Sequence, residues 1–239
     1  MRVWDIHPGY LSRQSLLGQH AEIHAIINII VNKKRGYAAH PETKRWKENL
    51  VPLVARHDLT VKEMRLRKFK HASPAAVTEV DKGKQALVYL DSPAEQFQLL
   101  QNKYANNSQQ GRIPLPQNGS QFWAHHKYSI MARGYQFYKE IQGRLITKKD
   151  LPIIKETELI DRISTLMNYP PTPGGLRNVT DHLWGYFKKE AAEVERGIYL
   201  SLAAKGAAEQ ILYLFELAEK YQRLYLLHST VFADLRLQE

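Results

Sequence analysis

The spacing of apolar residues most constrains the fold, because they recur every three or four positions along most of the chain. Such spacing puts apolar side chains on one face of an α-helix. The alternation of period two that is typical of half-buried strands extends no further than residues 86–90. No internal repeat is detectable. The pattern therefore predicts an all-α protein.

Local signals predict where the helices of the N-terminal half begin and end. Ser12 can cap a helix that extends to about residue 32, where cations and then Gly36 are typical of a helix end. A loop is expected over 37–48. Thr60 and Glu63 have the spacing of a capping box and predict the start of a basic helix.

The rest of the chain is predicted to form a second helical part. Ser92 and Pro93 are typical of a helix start. The polar segment 106–120 contains two prolines and two glycines and is predicted to be a linker. Further helices are predicted over 121–143, 156–168, 176–190, 192–204 and 207–236. We therefore expect two helical domains or lobes, 1–110 and 120–239, joined by this polar linker.

The distribution of charge indicates what the chain binds. Its 34 Lys and Arg outnumber its 24 Asp and Glu, which gives a net charge of +10. Residues 1–80 hold 14 basic and 7 acidic side chains, against 20 and 17 in the remainder. This excess predicts a surface for a polyanion in the first third of the chain. A basic surface that only keeps the protein in solution is the alternative.

Several classes of protein are excluded by what the sequence lacks. Without cysteine there is no disulfide scaffold, thiolate zinc site or cysteine nucleophile. Phosphate loops, nucleophile elbows and the His-Glu-x-x-His motif are also missing. The longest apolar stretch, 23–31, is too short to cross a bilayer, and no signal peptide is recognisable. We expect a cytoplasmic, nucleoid-associated protein that makes no membrane contact.

Two histidines, His20 and His24, lie four positions apart on the first predicted helix. This spacing puts both imidazoles on one face, where they could hold a metal ion. The sequence shows no obvious third ligand, so a polar helix face that lines a cleft is the simpler interpretation. We therefore expect no metal.

A series of N-terminal motifs occurs in the order found in a known family. They are Met1-Arg2-Val3-Trp4, His7-Pro8, Tyr10-Leu11, Gln14, Leu16-Leu17 and Glu22, followed by Arg35-Gly36-Tyr37, His40-Pro41, Glu63-Met64, Arg67 and Phe69. Together they resemble the pyrimidine-dimer DNA glycosylases of the phage endonuclease V type. The resemblance covers roughly the first 75–110 residues.

The resemblance implies which residues are catalytic. In that family the nucleophile is the α-amino group of the N-terminus and the acid/base is a glutamate of the first long helix. These roles correspond to Met1 and to Glu22, which lies 21 positions further on. Because Arg2 is bulky, we expect the initiator methionine to be retained. The resemblance also implies that Arg2 and Gln14 contact DNA.

The chemistry gives an independent reason for pairing an α-amine with a carboxylate. The reference pKa of an α-amine is about 7.7–8.0, against about 10.4 for lysine, so far more of it is unprotonated at neutral pH. Its attack on a sugar C1′ expels the base and leaves a Schiff base. A nearby carboxylate can then take the C2′ proton, and β-elimination cleaves the strand. Neither step needs a metal or a redox cofactor, and we expect none.

The sequence departs from the family in its phosphate contacts. The family has arginines where this chain has Ala21 and Ala25. The missing contacts are predicted to come from His20, His24 and the run Lys33-Lys34-Arg35, although a role of the run at the helix end is equally open. The predicted nucleic-acid-binding set is completed by Arg65, Arg67 and Lys127.

The C-terminal part resembles a different family. Its motifs are Phe122-Trp123, His125-His126-Lys127-Tyr128, Asn178-Val179, His182 and Gly185-Tyr186-Phe187-Lys188. They resemble the YbgA-like domain of unknown function over about 120–239. That domain also occurs fused to desulfidases that act on thiolated uracil, which implies binding of tRNA. Aromatic rings interleaved with bases suit a nucleic-acid surface, whereas simple core packing is the alternative.

Three functions remain open from the sequence. The first is a DNA glycosylase and AP lyase that acts on UV-dimer-type pyrimidines in duplex DNA. The second uses the same catalytic pair on modified or photodamaged RNA or tRNA. The third is a nucleic-acid-binding protein without catalysis.

Overall fold

The computed structural model describes residues 1–75, 88–105, 109–146 and 156–235. Within these ranges the chain forms helices and no strand, which confirms the all-α prediction. It divides into two compact units, Met1–Leu115 and Pro116–Glu239. No helix in the described ranges combines the length and the apolar character needed to cross a membrane.

The described residues of the first unit form four helices around an extended N-terminus. They are α1 (Arg13–Val31), α2 (Pro41–Trp46), α3 (Leu50–Leu66) and α4 (Pro93–Ala105), with a 3-10 turn at Pro8–Tyr10 before α1. Helix α1 packs against α2 and α3. Buried apolar side chains fill the space between these elements: Val3, Ile23, Ile26, Ile27, Trp46, Leu50 and Leu53.

The ends of α1 follow partly from the predicted signals. The Ser12 side chain accepts a hydrogen bond from the Ser15 N–H, as expected of a cap. At the other end the left-handed residue is Lys33, with φ of 48°, and not Gly36. The cationic run therefore lies beyond α1 instead of in its last turn.

Two predictions for the region between α1 and α3 are wrong. The expected loop 37–48 contains α2, which begins at Pro41 and whose Glu42 N–H donates to the His40 side chain at 3.1 Å. Thr60 and Glu63 lie fully buried in the middle of α3 and start no helix. The Thr60 hydroxyl donates to the Arg56 carbonyl one turn earlier in the same helix. It therefore does not accept a backbone N–H as the cap of a helix start would.

Part of the predicted linker belongs to the first unit. Ile113 is fully buried and its N–H donates to the Gly9 carbonyl at 2.9 Å. Gly111 is required there, because a Cβ would overlap that same carbonyl oxygen. Residues 106–108 of the linker and 86–87 of the alternating stretch lie outside the described residues.

The second unit is a separate assembly of helices. They are α5 (Gly119–Met131), α6 (Tyr135–Ile146), α7 (Glu156–Leu166), α8 (Pro173–Gly185), α9 (Glu193–Leu202), α10 (Ala207–Lys220), α11 (Leu224–Leu227) and α12 (Val231–Asp234). Helix α5 packs against α6, α7, α8 and α12, whereas α10 packs against α8, α9 and α11.

Two helices predicted as continuous are broken in this unit. The range 121–143 is interrupted after α5, where the Ala132 carbonyl accepts the Thr172 N–H at 2.9 Å. The range 207–236 is interrupted after α10, where Gln222 adopts φ of 50°. A tertiary hydrogen bond at the first break and a left-handed residue at the second override a continuous apolar pattern.

Candidate functional site

The extended N-terminus is held in place by side chains of three helices. Trp4 donates its N–H to the Gln19 side chain of α1 at 2.9 Å. Asp5 donates its N–H to the Gln96 side chain of α4 at 2.7 Å. The Asp5 carboxylate, itself buried, also forms an ion pair with Arg45 of α2. Three helices thus hold the residues that follow Met1.

A cleft of about 450 Å³ opens beside this N-terminus. Residues from the N-terminus, α1 and α4 line it: Met1, Arg2, Trp4, Gln14, Ser15, Gly18, Gln19, Glu22, Leu99 and Lys103. Four of the predicted site residues, Met1, Arg2, Gln14 and Glu22, are therefore brought to one cavity. They come from two segments of chain that the fold lays side by side.

The local structure explains why Met1 and Glu22 line this cleft. The Met1 side chain packs against the core cluster of the first unit, which anchors the end of the chain. Glu22 is half-buried on the face of α1 that also carries Ser15, Gly18 and Gln19. Within the described part of the chain, no side chain forms an ion pair or hydrogen bond with the Glu22 carboxylate. This carboxylate is available to a substrate.

Two cations lie at the cleft. Arg2 donates to the Asp91 carboxylate at 2.6 Å and stacks over the Trp4 ring, while 41% of its side chain stays exposed. Lys103, which sequence reasoning missed, donates to the Ser15 hydroxyl at 2.9 Å. A lysine in the last turn of a predicted helix gives no signal of its tertiary position, so only the fold could assign Lys103 to the cleft.

Arg67 has a structural position instead of the predicted nucleic-acid-binding one. Its guanidinium donates to the fully buried Glu63 carboxylate at 2.8 Å and to carbonyl oxygens of the turn 8–11. Arg112 donates to both oxygens of Glu63. Burial raises the pKa of Glu63, but the two guanidinium groups outweigh it and hold this pKa below its usual value.

His20 and His24 meet two further histidines, His57 of α3 and His71 beyond it. Burial, reinforced by the three neighbouring imidazoles, lowers the pKa of His20 to about 4. Burial and the neighbouring rings also lower the pKa of His24 and that of His71. Imidazoles that are neutral at pH 7 do not neutralise phosphate. His20 and His24 therefore supply little positive charge to a phosphate, and their contact with nucleic acid stays a prediction.

The remaining predicted cations lie outside the cleft lining. Lys33, Lys34 and Arg35 are exposed in the segment after α1. Arg65 is half-buried near the end of α3. The exposed run 33–35 can contact a phosphate backbone. It does not place positive charge in the last turn of α1, because α1 ends at Val31.

Lys127 lies in the second unit among tyrosines. Its ammonium group is over the rings of Tyr128 and Tyr225, and burial lowers its pKa. The Tyr128 hydroxyl donates to that of Tyr186 at 2.8 Å, and the rings of Tyr186 and Tyr225 remain partly exposed. These side chains form an aromatic and basic surface of the kind on which bases can stack.

Comparison with known proteins gives one match for each part of the chain. Residues 127–234 match the family described as Protein of unknown function (DUF1722). No curated protein and no solved structure matches the chain. Both resemblances seen in the sequence are confirmed. Residues 1–77, which carry Met1, Arg2, Gln14 and Glu22, match the family of pyrimidine dimer DNA glycosylases, and this match supports a DNA glycosylase that acts on nucleic acid.

Proposed function

We propose that the chain is a DNA glycosylase and AP lyase for UV-dimer-type pyrimidines, with Met1 as nucleophile and Glu22 as acid/base. The observation that carries this proposal is that Met1 and Glu22 line one cleft of the first unit. The family match over residues 1–77 supports the reaction class. The absence of any described partner for the Glu22 carboxylate supports its role as a proton acceptor.

The proposed reaction needs only these two groups and water. The unprotonated α-amine attacks the sugar C1′, and an N–C1′ bond forms as the glycosidic bond breaks and the base leaves with a proton. The sugar ring opens to a protonated imine. Glu22 then takes the C2′ proton, a C2′=C3′ double bond forms and the 3′ phosphate leaves. Water hydrolyses the imine and restores the amine.

Other residues of the cleft have supporting roles in this proposal. Arg2 and Lys103 are cations that can contact phosphates beside the reacting sugar. Gln14 is exposed and accepts a hydrogen bond from Gln109, so its amide N–H groups can face DNA. The exposed run 33–35 can extend the phosphate contacts beyond the cleft.

Borohydride trapping tests the proposal directly. The full chain is incubated with a duplex that carries one abasic site, and borohydride reduces any Schiff base to a stable amine. We expect a covalent complex that mass spectrometry locates at Met1. A chain extended at its N-terminus is the control and should give no complex, whereas a C-terminal tag should have no effect. An adduct on a lysine, or none, would contradict the assignment.

The dependence of binding on salt tests the predicted phosphate contacts. Each phosphate that is neutralised on duplex DNA contributes about −0.9 to the slope of log affinity against log salt. Replacement of Lys33, Lys34 and Arg35 together by Gln is expected to reduce the slope by up to about three units. The measurement is fluorescence anisotropy of labelled duplex over a series of salt concentrations.

The control for the salt experiment is Lys189 and Lys205, which are exposed in the second unit. Their replacement by Gln is expected to change the slope little. Lys148 and Lys149, for which we predict a surface loop, lie outside the described residues. If the triple variant of 33–35 keeps the wild-type slope, the run does not contact phosphates. The exposed Lys68 and Lys70 after α3 would then be the next candidates.

A further inference from the structure

Four histidine side chains of the first unit converge behind α1. His20 and His24 come from α1, His57 from α3 and His71 from the segment after α3. One ligand nitrogen from each lies within 4.8 Å of the other three. The four residues are separated by up to 51 positions in sequence, so only the fold brings them together.

The distances within this four-histidine cluster are those of a metal site. The His20 Nε2 lies 3.3 Å from the His24 Nε2 and 3.1 Å from the His71 Nε2. Zinc binds imidazole nitrogens at 2.0–2.1 Å in a tetrahedral arrangement, so two such ligand atoms lie about 3.3 Å apart. The two separations from the His20 Nε2 are thus those of ligands around one ion, and the four ligand atoms all lie within 4.8 Å of one another.

Hydrogen bonds alone do not account for this geometry. A neutral imidazole nitrogen either donates one hydrogen or offers one lone pair. The His20 Nε2 therefore cannot form good hydrogen bonds with both the His24 and the His71 nitrogens. A cation at the centre would accept lone pairs from all of them, which removes the conflict.

The fourth histidine supplies independent support. The buried His57 places its Nδ1 3.1 Å from the Asp58 carboxylate. This contact assigns the hydrogen to Nδ1 and leaves the lone pair on Nε2. That Nε2 is buried and has no hydrogen-bond partner among the residues that the structure describes, an arrangement that costs free energy unless something binds there. Metal-bound histidines are commonly oriented by such an outer carboxylate.

We propose that His20, His24, His57 and His71 bind a divalent transition-metal ion, Zn²⁺ by preference, with Asp58 as the outer carboxylate. Imidazole ligands suit Zn²⁺, and four of them form a closed, tetrahedral site. At 100° per residue, Glu22 lies on the opposite face of α1 from His20 and His24. The ion would therefore fasten α1 to α3 and to the chain after it without entering the cleft.

Metal titration of the full chain without an affinity tag tests this site. After removal of metals with a chelator, we expect one Zn²⁺ to bind per chain, and Co²⁺ to give the strong visible absorption of tetrahedral coordination. The melting temperature should rise with Zn²⁺ concentration, since the ion binds the folded state. Asp58→Ala is expected to weaken Zn²⁺ binding about 10–100-fold.

Variants of the ligands decide the outcome. His71→Asn, at a half-buried position, should lower Zn²⁺ affinity more than Asp58→Ala does and should abolish the tetrahedral Co²⁺ spectrum. His57→Gln should do the same, and circular dichroism checks that it folds. The control His182→Gln changes an exposed histidine of the second unit and should retain one Zn²⁺ per chain.

The proposal is overturned if the wild-type chain binds no stoichiometric Zn²⁺, or if His71→Asn binds it as tightly as the wild type. Either result would leave the cluster as four packed imidazoles without a metal ion. Because the titration contains no nucleic acid, it does not depend on the proposed glycosylase activity. Failure of borohydride trapping would likewise not contradict the proposed metal site.

Discussion

Glu22→Gln is expected to reduce cleavage of abasic duplex DNA by about 10²–10⁴-fold, the usual value of general acid/base catalysis. Glutamine keeps the size of the side chain and its ability to form hydrogen bonds, but it cannot accept the C2′ proton. Binding should remain nearly unchanged, because no described side chain depends on the Glu22 carboxylate. Single-turnover cleavage and anisotropy on the same duplex measure the two effects separately.

The matched control for this prediction is Glu48→Gln. Glu48 is an exposed glutamate of the same unit and is not part of the cleft lining. The Glu48→Gln variant should cleave at the wild-type rate. A Glu22→Gln chain that cleaves nearly as fast as this control would show that Glu22 is structural. Loss of binding and cleavage together would instead indicate that the carboxylate shapes the cleft.

Glu63→Gln is expected to destabilise the first unit by about 3–5 kcal/mol, because it leaves two largely buried guanidinium groups without their counterion. Arg67 and Arg112 donate to this carboxylate, and Arg67 also holds the turn 8–11 before α1. Denaturant-dependent hydrogen exchange in peptides of α1 and α3 measures the loss in this unit alone. The exposed Glu48→Gln should change stability by less than about 0.5 kcal/mol.

The Glu63 ion pairs also predict how stability depends on pH. The folded pKa of Glu63 is lower than the unfolded value of about 4.5. A lowered pKa stabilises the fold fully above the unfolded value, and this contribution is lost as pH falls through the folded value. The difference in unfolding free energy between the wild type and Glu63→Gln should therefore shrink below pH 4.5. A difference independent of pH would rule out the ion-pair explanation.

Short-range signals predicted much of the helical structure. The Ser12 cap and the Ser92–Glu95 capping box act within one helical turn, so the residues themselves carry the information. The same capping-box spacing at Thr60 and Glu63 was misleading. Those side chains are buried inside α3. Gln19 is bonded to Thr60, and Arg67 and Arg112 are bonded to Glu63. Gln19 and Arg112 are far away in sequence, so the local spacing could not reveal them.

The proposed catalytic pair, Met1 and Glu22, was predicted by resemblance, not by local physics. The helical period puts Glu22 on a face with Ser15 and Gln19, but it does not say what that face meets. The cleft exists because Trp4 and Asp5 are hydrogen-bonded to α1 and α4, which brings Met1 to the same wall. Lys103 enters the cleft through the same packing, and no motif in the sequence predicts it.

By itself, the sequence determined the helical class of the fold, its two family resemblances and the concentration of positive charge in the first third of the chain. Composition, periodicity and short motifs carry these properties without a folded chain. Only the tertiary structure decided which polar residues are neighbours. His57 and His71 join His20 and His24 because α3 packs against α1, and Arg112 reaches Glu63 from 49 positions away in sequence, because the fold brings together side chains that are far apart in the chain.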